Sequence, residues 1–90
     1  MNDASEHYPE ICELLDALAN QAPDMCLDEV RSLLKYSEQA AALEDLCVAV
    51  DEYEMTHTKF PSEIRRMIAL QCEACKIDEK YWRAFRIGPT

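Results

Sequence analysis

Residues 43–55 read LEDLCVAVDEYEM. Leu43, Leu46, Cys47, Val50 and Tyr53 recur at i, i+3, i+4, i+7 and i+10, the spacing of one buried stripe on an α-helix. Counting about 100° per residue, Glu44, Asp45, Asp51 and Glu52 centre roughly 160° from that stripe. They form two i, i+7 pairs, each about 10.5 Å apart along the axis. The reading is a helix over about 38–53, capped by Ser37, with one face for a core and the other densely acidic.

The same period extends in both directions. Tyr8, Ile11, Leu14, Leu15 and Leu18 predict a helix from about Glu6 to Gln21, with Ser5 as its cap and Pro9 in its first turn, where a missing N–H costs least. Ala22-Pro23 ends it, because a residue before proline avoids the α region. Leu27, Val30, Leu33 and Leu34 predict a helix over roughly 25–36 capped by Asp24. After the loop EMTHTKF, Pro61 and Ser62 open a helix over about 62–76, with Ile64, Ile68, Cys72 and Cys75 or Met67 inward. Asp78 caps a last short helix through Tyr81, Trp82 and Phe85, whose aromatic rings would anchor the C-terminus onto the rest.

These elements predict an all-α fold: one domain over residues 1–90, a compact antiparallel-type bundle of four main helices plus a short C-terminal helix. Connections of two to seven residues make consecutive helices neighbours. One glycine among 90 residues excludes Gly-rich phosphate loops and leaves little material for tight β-hairpins. No apolar run approaches a membrane span, and the acidic, polar N-terminus is unlike a signal peptide. A cytoplasmic protein is expected.

Eighteen acids stand against nine bases, for a net charge of −9. Residues 1–54 hold fourteen acids and two bases, Arg31 and Lys35; residues 55–90 hold four acids and seven bases. Such a chain is repelled by nucleic acid and by anionic membrane, and suits a basic partner.

Five cysteines are an odd number, which argues against a complete disulfide framework. Cys72-Glu-Ala-Cys75 is a C-x-x-C, but zinc would require a second ligand pair that His7 and His57 do not supply at a suitable spacing. Thioredoxin-like chemistry would require a βαβ setting. One turn apart in a helical stripe, the two cysteines read as packing residues. His57 near Glu54 has the types of an acid–base pair but no nucleophile beside it, and reads as a solvated loop residue. No catalytic residue, cofactor or metal site is expected.

The acids of 43–55 are less easily set aside. No Lys or Arg lies at i+3 or i+4 to offset Glu44, Asp45, Asp51 or Glu52. Asp51, Glu52 and Glu54 crowd the C-terminal end, where each negative charge opposes the helix dipole by about 0.3–1 kcal/mol. A local rule broken without evident gain points to function. Glu44, Asp45, Asp51, Glu52 and Glu54 are therefore the candidate partner contacts, with Tyr53 as an aromatic anchor if its hydroxyl reaches the surface.

Residues 38–85 also resemble the MafI family of bacterial immunity proteins. The resemblance rests on Ala42, Leu43, Glu44, Leu46, Cys47, Glu52 and Tyr53, then Asp78, Tyr81 and Trp82. The intervening MTHTKFPSE departs from that family's usual link. The resemblance implies a non-enzymatic antitoxin that binds a cognate toxin domain with a basic surface, often a nuclease and by preference a ribonuclease, as a monomer forming a 1:1 complex. The competing readings are a helical adaptor or oligomerisation module, and a small metal or redox protein using Cys72 and Cys75.

Overall fold

The computed structural model describes residues 7–87, and among these described residues lie five helices: α1 (Pro9–Gln21), α2 (Asp28–Lys35), α3 (Gln39–Thr56), α4 (Ser62–Ala74) and α5 (Glu79–Ile87). No strand occurs among the described residues. The radius of gyration, 12.2 Å, matches the roughly 12 Å of a compact chain of this length. The all-α expectation of four main helices and a short fifth holds.

The core follows the apolar stripes. Ile11, Leu14, Leu15 and Leu18 of α1, Val30 and Leu34 of α2, Leu43, Leu46, Cys47 and Val50 of α3, and Ile68 and Cys72 of α4 are almost entirely removed from water. Trp82 and Phe85 are buried as well, and Trp82 Nε1 donates to Ile77 O at 2.9 Å. That bond satisfies the indole's one polar group, so the aromatic anchoring of α5 is as expected.

The packing order differs from the expected one. α2 lies against α3, α3 against α4 and α5, and α4 against α5, but the close backbone neighbour of α1 is α4. α1 and α2 are consecutive yet do not pair closely. The 22–27 connection is a turn closed by Met25 N donating to Ala22 O, and it carries the chain away from α1.

Three capping expectations also change. Ser5 lies outside the described residues. Asp24 does not cap α2, which starts only at Asp28 after Leu27; its carboxylate accepts the Tyr53 hydroxyl at 3.0 Å instead. Ser37 does not cap α3 either. It sits at φ 60° one residue past the end of α2's cap, where Ser37 N donates to Leu34 O and Glu38 N to Leu33 O. Those two bonds make a Schellman turn. Lys76, at φ 57°, makes the same turn after α4, with Lys76 N donating to Glu73 O and Ile77 N to Cys72 O. Asp78 behaves as expected, accepting from Lys80 N at 3.0 Å to cap α5.

One polar group sits inside this apolar frame. Arg65 is buried among Ile64, Ile68 and Ala69 on α4. Its guanidinium pairs with the carboxylate of Glu54 on α3, and the two side chains are only 5% and 6% exposed. Arg65 also donates to Ala84 O at 3.1 Å and lies 4.8 Å from the centre of the Phe85 ring. The second Glu54 oxygen accepts Phe60 N at 2.8 Å.

Two outcomes follow from these contacts. Arg65→Ala should destabilise the fold by about 3–5 kcal/mol, because it strands a buried carboxylate, whereas the paired replacement Glu54→Leu with Arg65→Met should cost less, since it removes both charges and leaves only Phe60 N and Ala84 O without their partners; urea unfolding measures both. Lys76→Gly should stabilise the protein by about 0.5–1 kcal/mol, since only glycine enters the left-handed region without a Cβ clash. A lower urea midpoint for that variant would contradict this account of the turn.

Candidate functional site

α3 is the long element, and its 18 residues span about 27 Å. It touches α2, α4 and α5, so three neighbours compete for its circumference and only part of its surface remains open. Asp51 and Glu52 are exposed on that open part, and Glu44 and Asp45 are half-buried at its edges. None of the four belongs to an ion pair among the described residues, where the pairs are Arg31–Asp16, His57–Asp24, Arg65–Glu54 and Arg86–Glu79.

Glu54 does not belong with them. The expectation that it contacts a partner is corrected: its carboxylate points inward and is consumed by Arg65 and Phe60 N. The reason is angular. Position 54 lies about 20° from position 43 around the helix, in line with Leu43, Cys47 and Val50. Arg65 lies about 20° from Cys72 on α4 by the same count. A lone acid and a lone base on two facing apolar stripes are the trace this pair leaves in the sequence.

α3 also runs to Thr56 rather than stopping at 53. Asp51 and Glu52 therefore lie one turn or more before the end, where dipole repulsion is weaker than for terminal residues. Glu54 remains in the last turn, with its charge offset by Arg65.

Tyr53 is half-buried, and its hydroxyl is at the surface but engaged. It donates to Asp24 Oδ1 at 3.0 Å, while its ring stacks on His57 with centroids 3.9 Å apart and also meets Phe60 at 5.5 Å. Partial desolvation, and then the Asp24 bond and its charge, hold the phenol above its ordinary pKa. His57 Nε2 lies 3.5 Å from Asp24 Oδ2, and its Nδ1 contacts Thr56 Oγ1 and Tyr53 O. The imidazole thus belongs to a clasp between the 22–27 turn and the end of α3, rather than being a free loop residue.

The cysteines divide in a way their spacing did not reveal. Cys72 pairs with Cys47 of α3, Sγ to Sγ 3.5 Å, both buried. Cys75 instead accepts from Gln39 Nε2 at 2.9 Å. The Cys47 S–H bond favours a thiolate at Cys72, lowering its pKa, while that bond, burial and the Cys72 charge push Cys47 far up. Burial and the Cys72 charge raise Cys75. Among the described residues no three His, Cys, Asp or Glu side chains come together as metal ligands, and no helix is long and apolar enough to cross a membrane.

The open part of α3 has a definite form. Two adjoining depressions, of about 190 and 370 Å³, share Val48 and Tyr81. Val48 is 44% exposed, and its helical neighbours at i−4, i−3, i+3 and i+4 are Glu44, Asp45, Asp51 and Glu52. The four acids therefore surround a single exposed apolar side chain.

No known protein family, curated protein or solved structure matches the chain.

Neutralising the outer acids should relieve their mutual repulsion. Asp51→Asn with Glu52→Gln is expected to raise stability by about 0.3 kcal/mol at low ionic strength, the lower end of the helix-end effect, with the gain shrinking as salt is added. Urea unfolding at two salt concentrations tests this, and a loss of stability at low salt would mean that these acids have stabilising partners.

Proposed function

We propose that this chain is an immunity protein, a non-enzymatic antitoxin that binds a toxin domain with a basic surface and blocks it. The observation behind this reading is the acidic face of α3: Glu44, Asp45, Asp51 and Glu52 without a cation among the described ion pairs. An enzyme that grips RNA or DNA presents a basic cleft. An acidic helix can occupy such a cleft, accelerate association by electrostatic steering and exclude the substrate. The MafI resemblance supplies the class of partner, a secreted nuclease domain with ribonuclease preferred, met in the cytoplasm of the protected cell as a 1:1 complex.

The contact set is Glu44, Asp45, Asp51 and Glu52, with Glu54 withdrawn because it is spent on Arg65. Tyr53 is held by Asp24 and His57, so it contributes to the shape of the α3 end rather than as a mobile anchor. The adaptor reading requires self-association through an exposed apolar stripe. Tyr36 and Leu70 are exposed away from α3, and Val48 and Met55, i and i+7 on α3, stand beside Asp51 and Glu52, so pairing two copies through that face would bring like charges together.

The test is association with a nuclease toxin domain, sought in the reading frame next to this gene. Asp51→Lys with Glu52→Lys should slow association about tenfold or more at low salt, and the difference should narrow at high salt. It should also weaken protection of cells expressing the toxin. Unchanged stopped-flow association at low salt would remove the electrostatic proposal.

A further inference from the structure

The two depressions beside α3 form one channel. Its floor is the α3 edge from Ala41 through Val48 to Asp51, one wall is α2 at Glu29 and Leu33, and the other is α5 at Lys80, Tyr81 and Ala84. α2 and α5 do not pack on each other, which leaves the α3 edge uncovered between them, with Val48 and Tyr81 where the two depressions meet. From Ala41 to Asp51 it runs about 15 Å, nearly three helical turns.

The chemistry of the channel is layered. Leu33, Ala41, Val48 and Tyr81 supply an apolar centre. Glu29, Glu44, Asp45 and Asp51 supply an acidic border. The one cation in the channel, Lys80, has its ammonium 5.3 Å from the centre of the Tyr81 ring, at the α5 lip. An apolar centre inside a charged border is the layout of a binding hot spot, where the border shields the central contact from water.

We propose that this channel docks an amphipathic helix of the partner, its apolar side chains seated on Val48 and its flanking Lys or Arg side chains paired with the acidic border. The proposal rests on the reading of α3 as a surface for a basic partner, and adds the position and form of the bound segment. An extended strand is the poorer occupant. All three walls are helices whose backbone donors and acceptors are satisfied internally, so a strand would find no sheet edge and would leave its own polar backbone unpaired. A helix brings its hydrogen bonds with it. The border acids lie one turn above and below Val48, so bases at i−4 and i+4 from the partner's central apolar residue would meet them.

The probe is a synthetic 15-residue Leu/Lys peptide with leucines at helical i, i+3, i+4, i+7 spacing, compared with a scrambled peptide of the same composition. The helical peptide should shift the amide resonances of Ala41, Val48 and Tyr81 and bind more tightly than the scrambled one. Val48→Asp, at an exposed position that leaves the core intact, should weaken binding about tenfold or more, and Ala84→Glu on the opposite lip should weaken it too. Equal binding of both peptides, with shifts spread over the whole acidic surface, would overturn the proposal in favour of plain charge attraction. Concentration-dependent dimerisation through Val48 without peptide uptake would overturn it in favour of a second copy. The toxin domain separates this proposal from the function itself. Full toxin binding by Val48→Asp removes the channel and keeps the acidic face, whereas peptide docking without any toxin binding keeps the channel and removes the immunity role.

Discussion

The ion pair between Glu54 and Arg65 holds the parts of this molecule in register. Glu54 closes α3, Phe60 ends the loop that follows, Arg65 opens α4, and Ala84 belongs to α5; one pair of side chains bonds all four. Two charges out of water are expensive unless each is matched, and an ion pair of this kind contributes geometric specificity more surely than net stability. It fixes where the 57–61 loop crosses and how α5 leans on α4. The Phe85 ring covers one face of the guanidinium, and Arg65 Nε is the one buried side-chain nitrogen or oxygen among the described residues without a partner. Charge matching thus adds to the apolar seating of α5 through Ile77, Trp82 and Phe85.

The helix ends are set by a different constraint. Two turns require a left-handed residue, and the chain's single glycine, Gly88, is at neither. Ser37 and Lys76 occupy them at some steric expense, and in return each Schellman turn satisfies two carbonyls that the preceding helix would leave orphaned. Ile77, the residue after Lys76, is buried, so the turn after α4 also seats α5 on the core. The tight reversals between α2 and α3 and between α4 and α5 are what bring α2 and α5 to opposite sides of α3.

That placement gives α3 two unlike sides. Leu43, Leu46, Cys47 and Val50 are sealed against the other helices, with Cys47 in contact with Cys72. On the other side α2 and α5 stand apart and leave Val48 exposed within four acids. The acids raise the electrostatic energy of the isolated chain, and a basic partner would remove that repulsion on binding. The same arrangement that weakens the free protein would thereby strengthen its complex, which is the physical ground for reading this face as a recognition surface.

Much of this was legible in the order of the residues. Apolar spacing alone marked five helices, their inward stripes and the anchoring role of Trp82 and Phe85, because a 3.6-residue period leaves a direct trace in sequence. The outward direction of Glu44, Asp45, Asp51 and Glu52 followed from the same geometry. The fates of Glu54, Asp24 and Cys72 did not, since each depends on a group that is distant in the chain: Arg65, Tyr53 with His57, and Cys47. Periodicity reports the face on which a side chain lies, whereas its partner is decided by which helices the turns bring together. The acidic face was therefore determined by the sequence itself. The channel beside it was decided only by the tertiary structure, because it exists in the space between α2 and α5, two helices that touch α3 but not each other.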